Sequence, residues 1–212
     1  LYHDNALWTG EGLRIDLESL QIDTIVPREE GDEGVNMMDG KGNIWFGCAN
    51  NLCYYDPDAN NLTPFEDVSG MLDTINFKTI TFLLEGKNSD ILWIGTKENG
   101  IFKLSKRNGG LAHYHANSPE NASLSHSRIL ALEEDNNENL WIATAQGVNR
   151  LHIPTEEITA FTTDQGLPNN FINGILLDGD SILWISTDHG LSRMHIATET
   201  FTNFTESDGL SR

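Results

Sequence analysis

Asp135-Asn136-Asn137-Glu138-Asn139-Leu140-Trp141-Ile142-Ala143-Thr144-Ala145-Gln146-Gly147-Val148-Asn149-Arg150-Leu151 is the stretch on which the fold turns. It opens on an acid and a polar turn. An apolar run around Trp141 follows, then a short polar turn and a second β-rich run. Two strands joined by tight turns are the reading. The same phrase returns along the chain. Leu7-Trp8-Thr9-Gly10, Ile44-Trp45-Phe46-Gly47, Leu92-Trp93-Ile94-Gly95-Thr96 and Leu183-Trp184-Ile185-Ser186-Thr187 are its other copies. All 5 tryptophans of the chain are used in this way.

The repeat extends on both sides of the tryptophan. An apolar stretch ending in an acid precedes it: Val35 to Asp39, Thr81 to Glu85, Ile129 to Asp135, Ile175 to Asp178. After it come Gly12-Leu13-Arg14-Ile15-Asp16, Gly147 to Leu151, or Gly190-Leu191-Ser192-Arg193-Met194. A Thr/Phe-rich segment then closes the unit, at Ile158 to Thr163 and Phe201 to Thr205. Each period therefore reads as four short strands, and no stretch sustains a helical period. A four-stranded unit at this spacing is the signature of a propeller blade. The expectation is an all-β fold of four-stranded antiparallel blades, about five in number. The blades fall near residues 1–34, 35–78, 79–126, 127–171 and 172–212, in one propeller segment. Five blades, a short first strand and a closing Gly209-Leu210 read as a fragment of a larger, seven-bladed ring.

The patterning has a physical cause. A blade is sandwiched between its neighbours, so both faces of its middle strands are buried, and Leu140-Trp141-Ile142 is apolar in succession. Gly10, Gly47, Gly95, Ala143 and Ser186 lie two residues beyond each tryptophan, on the same face, where they leave room for the next blade. Burying one tryptophan is worth about 4–6 kcal/mol. The acids before the tryptophans read as turn-formers that bond their own backbone. A calcium role for Asp39, or for Asp178 with Asp180, lacks a full ligand set.

Composition narrows the function. The net charge is −19 with only 13 Lys and Arg, a field that repels nucleic acid and anionic lipid. No apolar run is long enough to span a membrane. Cys48 and Cys53 flank a hairpin loop expected at residues 49–52, and a cross-strand disulfide or two packed thiols are both open. No nucleophile elbow, phosphate loop or metalloprotease motif is present, and no cofactor is expected. His113 and His115 share one face of a strand, half a metal site at most.

The phrase Asp135 through Leu151 resembles the two-component regulator propeller repeat. So do Ser118 to Ser125, leading into the fourth copy, and Gly166-Leu167-Pro168-Asn169-Asn170, which resembles that family's closing loop. The second copy departs from it, with Phe46 and Cys48 in its tryptophan motif. The resemblance implies a periplasmic sensor region of a membrane-bound hybrid histidine kinase, perceiving a small ligand, often a carbohydrate fragment. It assigns no site residues. On propeller topology, the loops joining second to third strands share one rim with those leading into the next blade. Asn50, Asn51, Lys97, Glu98, Gln146, Asp188 and His189 occupy the former and vary from copy to copy, so the ligand is expected there. The expected partners are that small molecule or oligosaccharide, no nucleic acid, and another copy through open blade edges. The rival functions are a metal-dependent propeller lyase, with His189 beside Asp188, and a protein–protein scaffold.

Overall fold

The computed structural model describes residues 2–3, 6–8, 13–24, 35–48, 51–65, 80–118 and 123–210. Every regular element among them is a strand, apart from two single-turn 3-10 segments in the blade-closing loops. The first sheet holds β1 (Tyr2–His3), β2 (Ala6–Trp8), β3 (Leu13–Asp16) and β4 (Ile22–Thr24). The second holds β5 (Asn36–Met38), β6 (Ile44–Cys48), β7 (Asn51–Asp56) and β8 (Asn61–Pro64). The third holds β9 (Ile80–Glu85), β10 (Ile91–Thr96), β11 (Ile101–Ser105) and β12 (Leu111–Tyr114). The fourth is β13 (Ile129–Glu134), β14 (Asn139–Thr144), β15 (Gly147–His152) and β16 (Glu157–Phe161). The fifth is β17 (Ile172–Asp178), β18 (Ile182–Thr187), β19 (Gly190–His195) and β20 (Thr200–Phe204). In every sheet the strands lie side by side in chain order. Five four-stranded meanders are the blades the repeat called for.

The chain forms two compact units, Leu1–Ile94 with Phe102–Ala112, and Gly95–Ile101 with His113–Arg212. The core of the first gathers Trp45, Leu52, Ile80, Leu83, Leu92, Ile94, Phe102 and Leu104. In the second, Leu140, Trp141, Ile142 and Ala143 are all fully buried, and β17 packs against β13 and β14.

The repeated residues earn their places through repeated bonds. The acid six positions before tryptophan is a staple. Asp39 accepts the indole N–H of Trp45 at 2.8 Å, and Asp135 accepts that of Trp141 at 3.0 Å. Each carboxylate also takes the backbone N–H groups two and four residues on. The backbone half of this was legible in the sequence, whereas the indole half was not. Asp178 departs from the pattern: it pairs across the ladder with Ile182 and its side chain is exposed. The threonine that ends the tryptophan strand closes the next turn. Thr96, Thr144 and Thr187 donate to the carbonyls of Gly100, Gly147 and Gly190 at 2.8–2.9 Å. These glycines adopt positive φ, and a Cβ on Gly147 would stand 2.5 Å from the Phe161 carbonyl. Blade-closing loops are held by capping boxes, in which Gln165 bonds the Thr162 amide and Asp208 the Thr205 amide.

Two expectations shift. The loop expected at 49–52 is shorter, since β7 begins at Asn51, which pairs with Cys48, and Leu52 is fully buried. Asn51 is thus a strand residue, because Leu52 must face the core. Cys53 is disulfide-bonded, and the chain has one other cysteine, Cys48.

Candidate functional site

The rim of the second unit is built from the turns after β10, β14 and β18 and from the connectors leading into β13 and β17. Lys97, Glu98, Gln146, Asp188 and His189 all lie in those turns and are exposed. Asn50 lies outside the described residues. The connectors are tied to the turns by backbone bonds: the Gly147 amide donates to Asn170 at 2.7 Å and the Gly100 amide to Ser127 at 2.8 Å. Polar side chains are therefore displayed on a braced frame, not on free loops.

Around the last turn the polar groups converge. The Asn169 amide nitrogen lies 3.1 Å from Nδ1 of His189, a hydrogen bond that the tautomer protonated on Nε2 accepts. Asn173 donates to Asp188 at 3.0 Å. The Asp188 amide reaches the Phe171 carbonyl, and the Arg128 guanidinium lies 5.9 Å from the centre of the Phe171 ring. His189 and Asp188, the pair proposed for a lyase, thus turn to two different asparagines. Asn173, Arg128 and Phe171 were not singled out in the sequence, and Asn169 was read only as part of the closing loop. The positions of Arg128, Asn169 and Phe171 in the connectors, the other half of the same rim, were the available signal, whereas Asn173 lies in β17.

The His113 and His115 rings stack with centroids 4.7 Å apart. His113 Nε2 meets the Asn99 carbonyl at 2.5 Å and His115 Nδ1 the Ala116 carbonyl at 2.6 Å, so one nitrogen of each ring is spent on the backbone. Burial pushes the His113 pKa down, aided by the His115 charge and opposed by the Asn99 carbonyl. Among the described residues no three His, Cys, Asp or Glu gather to hold a metal.

The first unit holds a separate cavity of about 720 Å³. Trp45, Tyr54 and Phe65 form its floor, with ring centroids 5.1 and 5.6 Å apart. Lys106 lies 5.6 Å over the Trp45 ring. It is held 2.5 Å from Glu85 and 3.6 Å from Asp39, and only 12% of its side chain is exposed. Its charge is answered by two carboxylates of its own neighbourhood, beside the aromatic floor.

Consecutive four-stranded antiparallel sheets in chain order, with Trp45, Trp93 and Trp141 buried in the second strands of the middle three, define propeller blades. Two repeats, residues 123–146 and 166–189, match the family model of the two component regulator propeller, so the resemblance stands on the fourth and fifth copies. No curated protein matches the chain. Among solved structures, the extracellular domain of the putative hybrid two component system BT3049 from B. thetaiotaomicron is similar at 20% identity and TM-score 0.66. That match covers 80% of this chain and 24% of the other, so the chain spans about a quarter of that domain. PorZ, a surface component of the type-IX secretion system of Porphyromonas gingivalis, aligns at 15% identity and TM-score 0.68, over 96% of this chain and 32% of its own. The GH74 enzyme of Niastella koreensis aligns at 16% identity and TM-score 0.61, over 91% and 34%. At such identities the likenesses establish the fold, a β-propeller fold shared by proteins of several functions.

Proposed function

We propose that this chain is a non-catalytic, ligand-perceiving propeller segment of a membrane-bound two-component signalling protein, acting outside the cytoplasm. The observation that carries the reading is the extent of the two matched repeats. Each runs from a connector, through the acid turn and tryptophan strand, and ends on the rim turn at Gln146 or His189. Gln146, Asp188 and His189 fall inside the matched segments, and Lys97 and Glu98 lie on the preceding copy's equivalent turn. The bonded state of Cys53 supports an oxidising compartment outside the cytoplasm. The ligand is a small molecule or an oligosaccharide bound by Lys97, Glu98, Gln146, Asp188 and His189.

A thermal-shift screen of sugars and small metabolites tests this. A ligand at a hundredfold excess over its Kd adds about 2.7 kcal/mol. Lys97→Ala, Gln146→Ala and His189→Ala should each reduce that shift, and the stabilising compound should be recovered chemically unchanged. If all three variants keep full affinity, the rim is not the site. If the compound is turned over, the chain is an enzyme.

A further inference from the structure

The cleft between the second and third blades, both within the first unit, departs from the repeat at three points. Across the ladder from the tryptophan the other blades carry a cation. Arg14 pairs with Trp8, Arg150 with Trp141 and Arg193 with Trp184, and Lys103 lies 5.8 Å over the Trp93 ring. The second blade has Tyr54 opposite Trp45 instead. The third blade supplies the other two departures. Its outer turn is built like those of the fourth and fifth: the amides of Lys106, Ile153 and Ile196 reach the carbonyls of Asp90, Glu138 and Ser181. Lys106 therefore stands where two other blades place an isoleucine. Gly109 takes the left-handed turn position held by Glu156 and Glu199.

Between the fourth and fifth blades the regular residues fill the cleft. Arg150 lies 5.8 Å from the Trp141 ring centre and 5.6 Å from that of Phe161, and Glu199 closes on it at 2.9 Å. Phe161 is buried beneath. Tyr54 and Gly109 offer neither the guanidinium nor the carboxylate of that stack. Phe65, which meets Trp45 as Phe161 meets Trp141, stays half-buried, and so does Tyr54. The cavity of about 720 Å³ opens over them. Small-ligand sites run from about 300 to 1,000 Å³.

The walls define what fits. One is apolar, with Tyr54, Pro64 and Phe65, and the other presents Asn88, Asp90 and Arg107. Charges balance locally: Lys41, Lys106 and Arg107 stand against Asp39, Glu85 and Asp90. No surplus charge calls for an ion, and Lys106 already covers the Trp45 face that an organic cation would take. Tyr54 and Phe65 are tilted by 33° and 52° to Trp45, a trough and not a pair of parallel plates. A flat heterocycle would stack on one ring at a time, whereas a puckered saturated ring lays its C–H face along the trough.

We propose that this cleft binds an uncharged sugar ring, with the ring's C–H face on Tyr54 and Phe65 and its hydroxyls bonded to Asn88, Asp90 and Arg107. The polar wall comes from the turns after β9 and β11, at the opposite ends of the strands from the rim turn after β10. The site is therefore additional to the rim and does not depend on the sensing proposal.

Saturation-transfer NMR on the 212-residue chain, with the methyl glycosides of glucose, galactose and mannose as probes, is the test. At least one should receive saturation, strongest at the protons of one ring face. Added salt should leave its affinity unchanged, because no net charge is neutralised. Tyr54→Arg restores the residue type of the other blades, and should keep the melting temperature of the parent while weakening binding on the order of tenfold. Arg107→Ala removes a side chain that is 82% exposed, leaves the core untouched, and should weaken binding by a similar factor. The rim variants Lys97→Ala, Gln146→Ala and His189→Ala should leave this binding intact. Absence of transfer to all of the glycosides overturns the inference. So does binding that survives either cleft substitution, or binding that disappears in the rim variants.

Discussion

Trp141 and Trp184 hold the same place in successive repeats and differ in what covers them. Trp141 is fully buried and bonded to Asp135, whereas Trp184 is partly exposed beside an open hollow. Trp141→Ala should therefore cost about 3–5 kcal/mol, and Trp184→Ala clearly less, in urea unfolding of each variant. Equal losses would remove the burial argument. Asp39 carries a pH dependence. Burial raises its pKa, but the Trp45 indole, the Asn43 amide and two backbone N–H groups outweigh this and hold it below the ordinary carboxylate value. A folded pKa below the unfolded one means stability that is complete above about pH 4 and lost as pH falls through the folded value. Asp39→Asn should flatten that acid limb, and unfolding midpoints between pH 5 and the acid limb, roughly pH 2, measure it. The spacing of acid to tryptophan was plain in the sequence, but a spacing does not say which atoms meet. The indole bond needed the turn's geometry.

Blade turns are set by local chemistry, and most of that was readable. The Thr and Gly that bracket each rim turn recur at Thr144 and Gly147, and again at Thr187 and Gly190, because the threonine hydroxyl closes the turn onto the glycine carbonyl. Gly147 sits at φ 118° with the Phe161 carbonyl against it. Gly147→Ala should cost about 1–3 kcal/mol. Gly174→Ala, with nothing within 4 Å of its Cβ, should change stability by less than about 0.5 kcal/mol. Thermal unfolding of the pair checks both, and equal stabilities would remove the strain argument. Asn51 shows where element reading failed. Polar composition alone suggested a loop, and the burial of Leu52 drew it into the strand.

For the molecule as a whole, the 212 residues by themselves determined an all-β chain of repeated four-stranded blades. A repeat is local information: periodic tryptophans, alternating turns and short β-branched runs state their own pairing, since neighbouring strands are neighbours in sequence. The acidity was equally direct, a sum over side chains. The partners that one blade finds on the next were not written locally. Asn136 meets Asp180 across 44 residues, and Asn203 meets Gly166 across 37. Arg150 lies beside Glu199 and His189 beside Asn169 for the same reason. Only the tertiary structure decided which connector residues meet the turns and which carboxylates pair with Lys106. Those outcomes depend on how sheets stack, and stacking is set by side-chain volume and burial summed over two blades, which no single repeat contains.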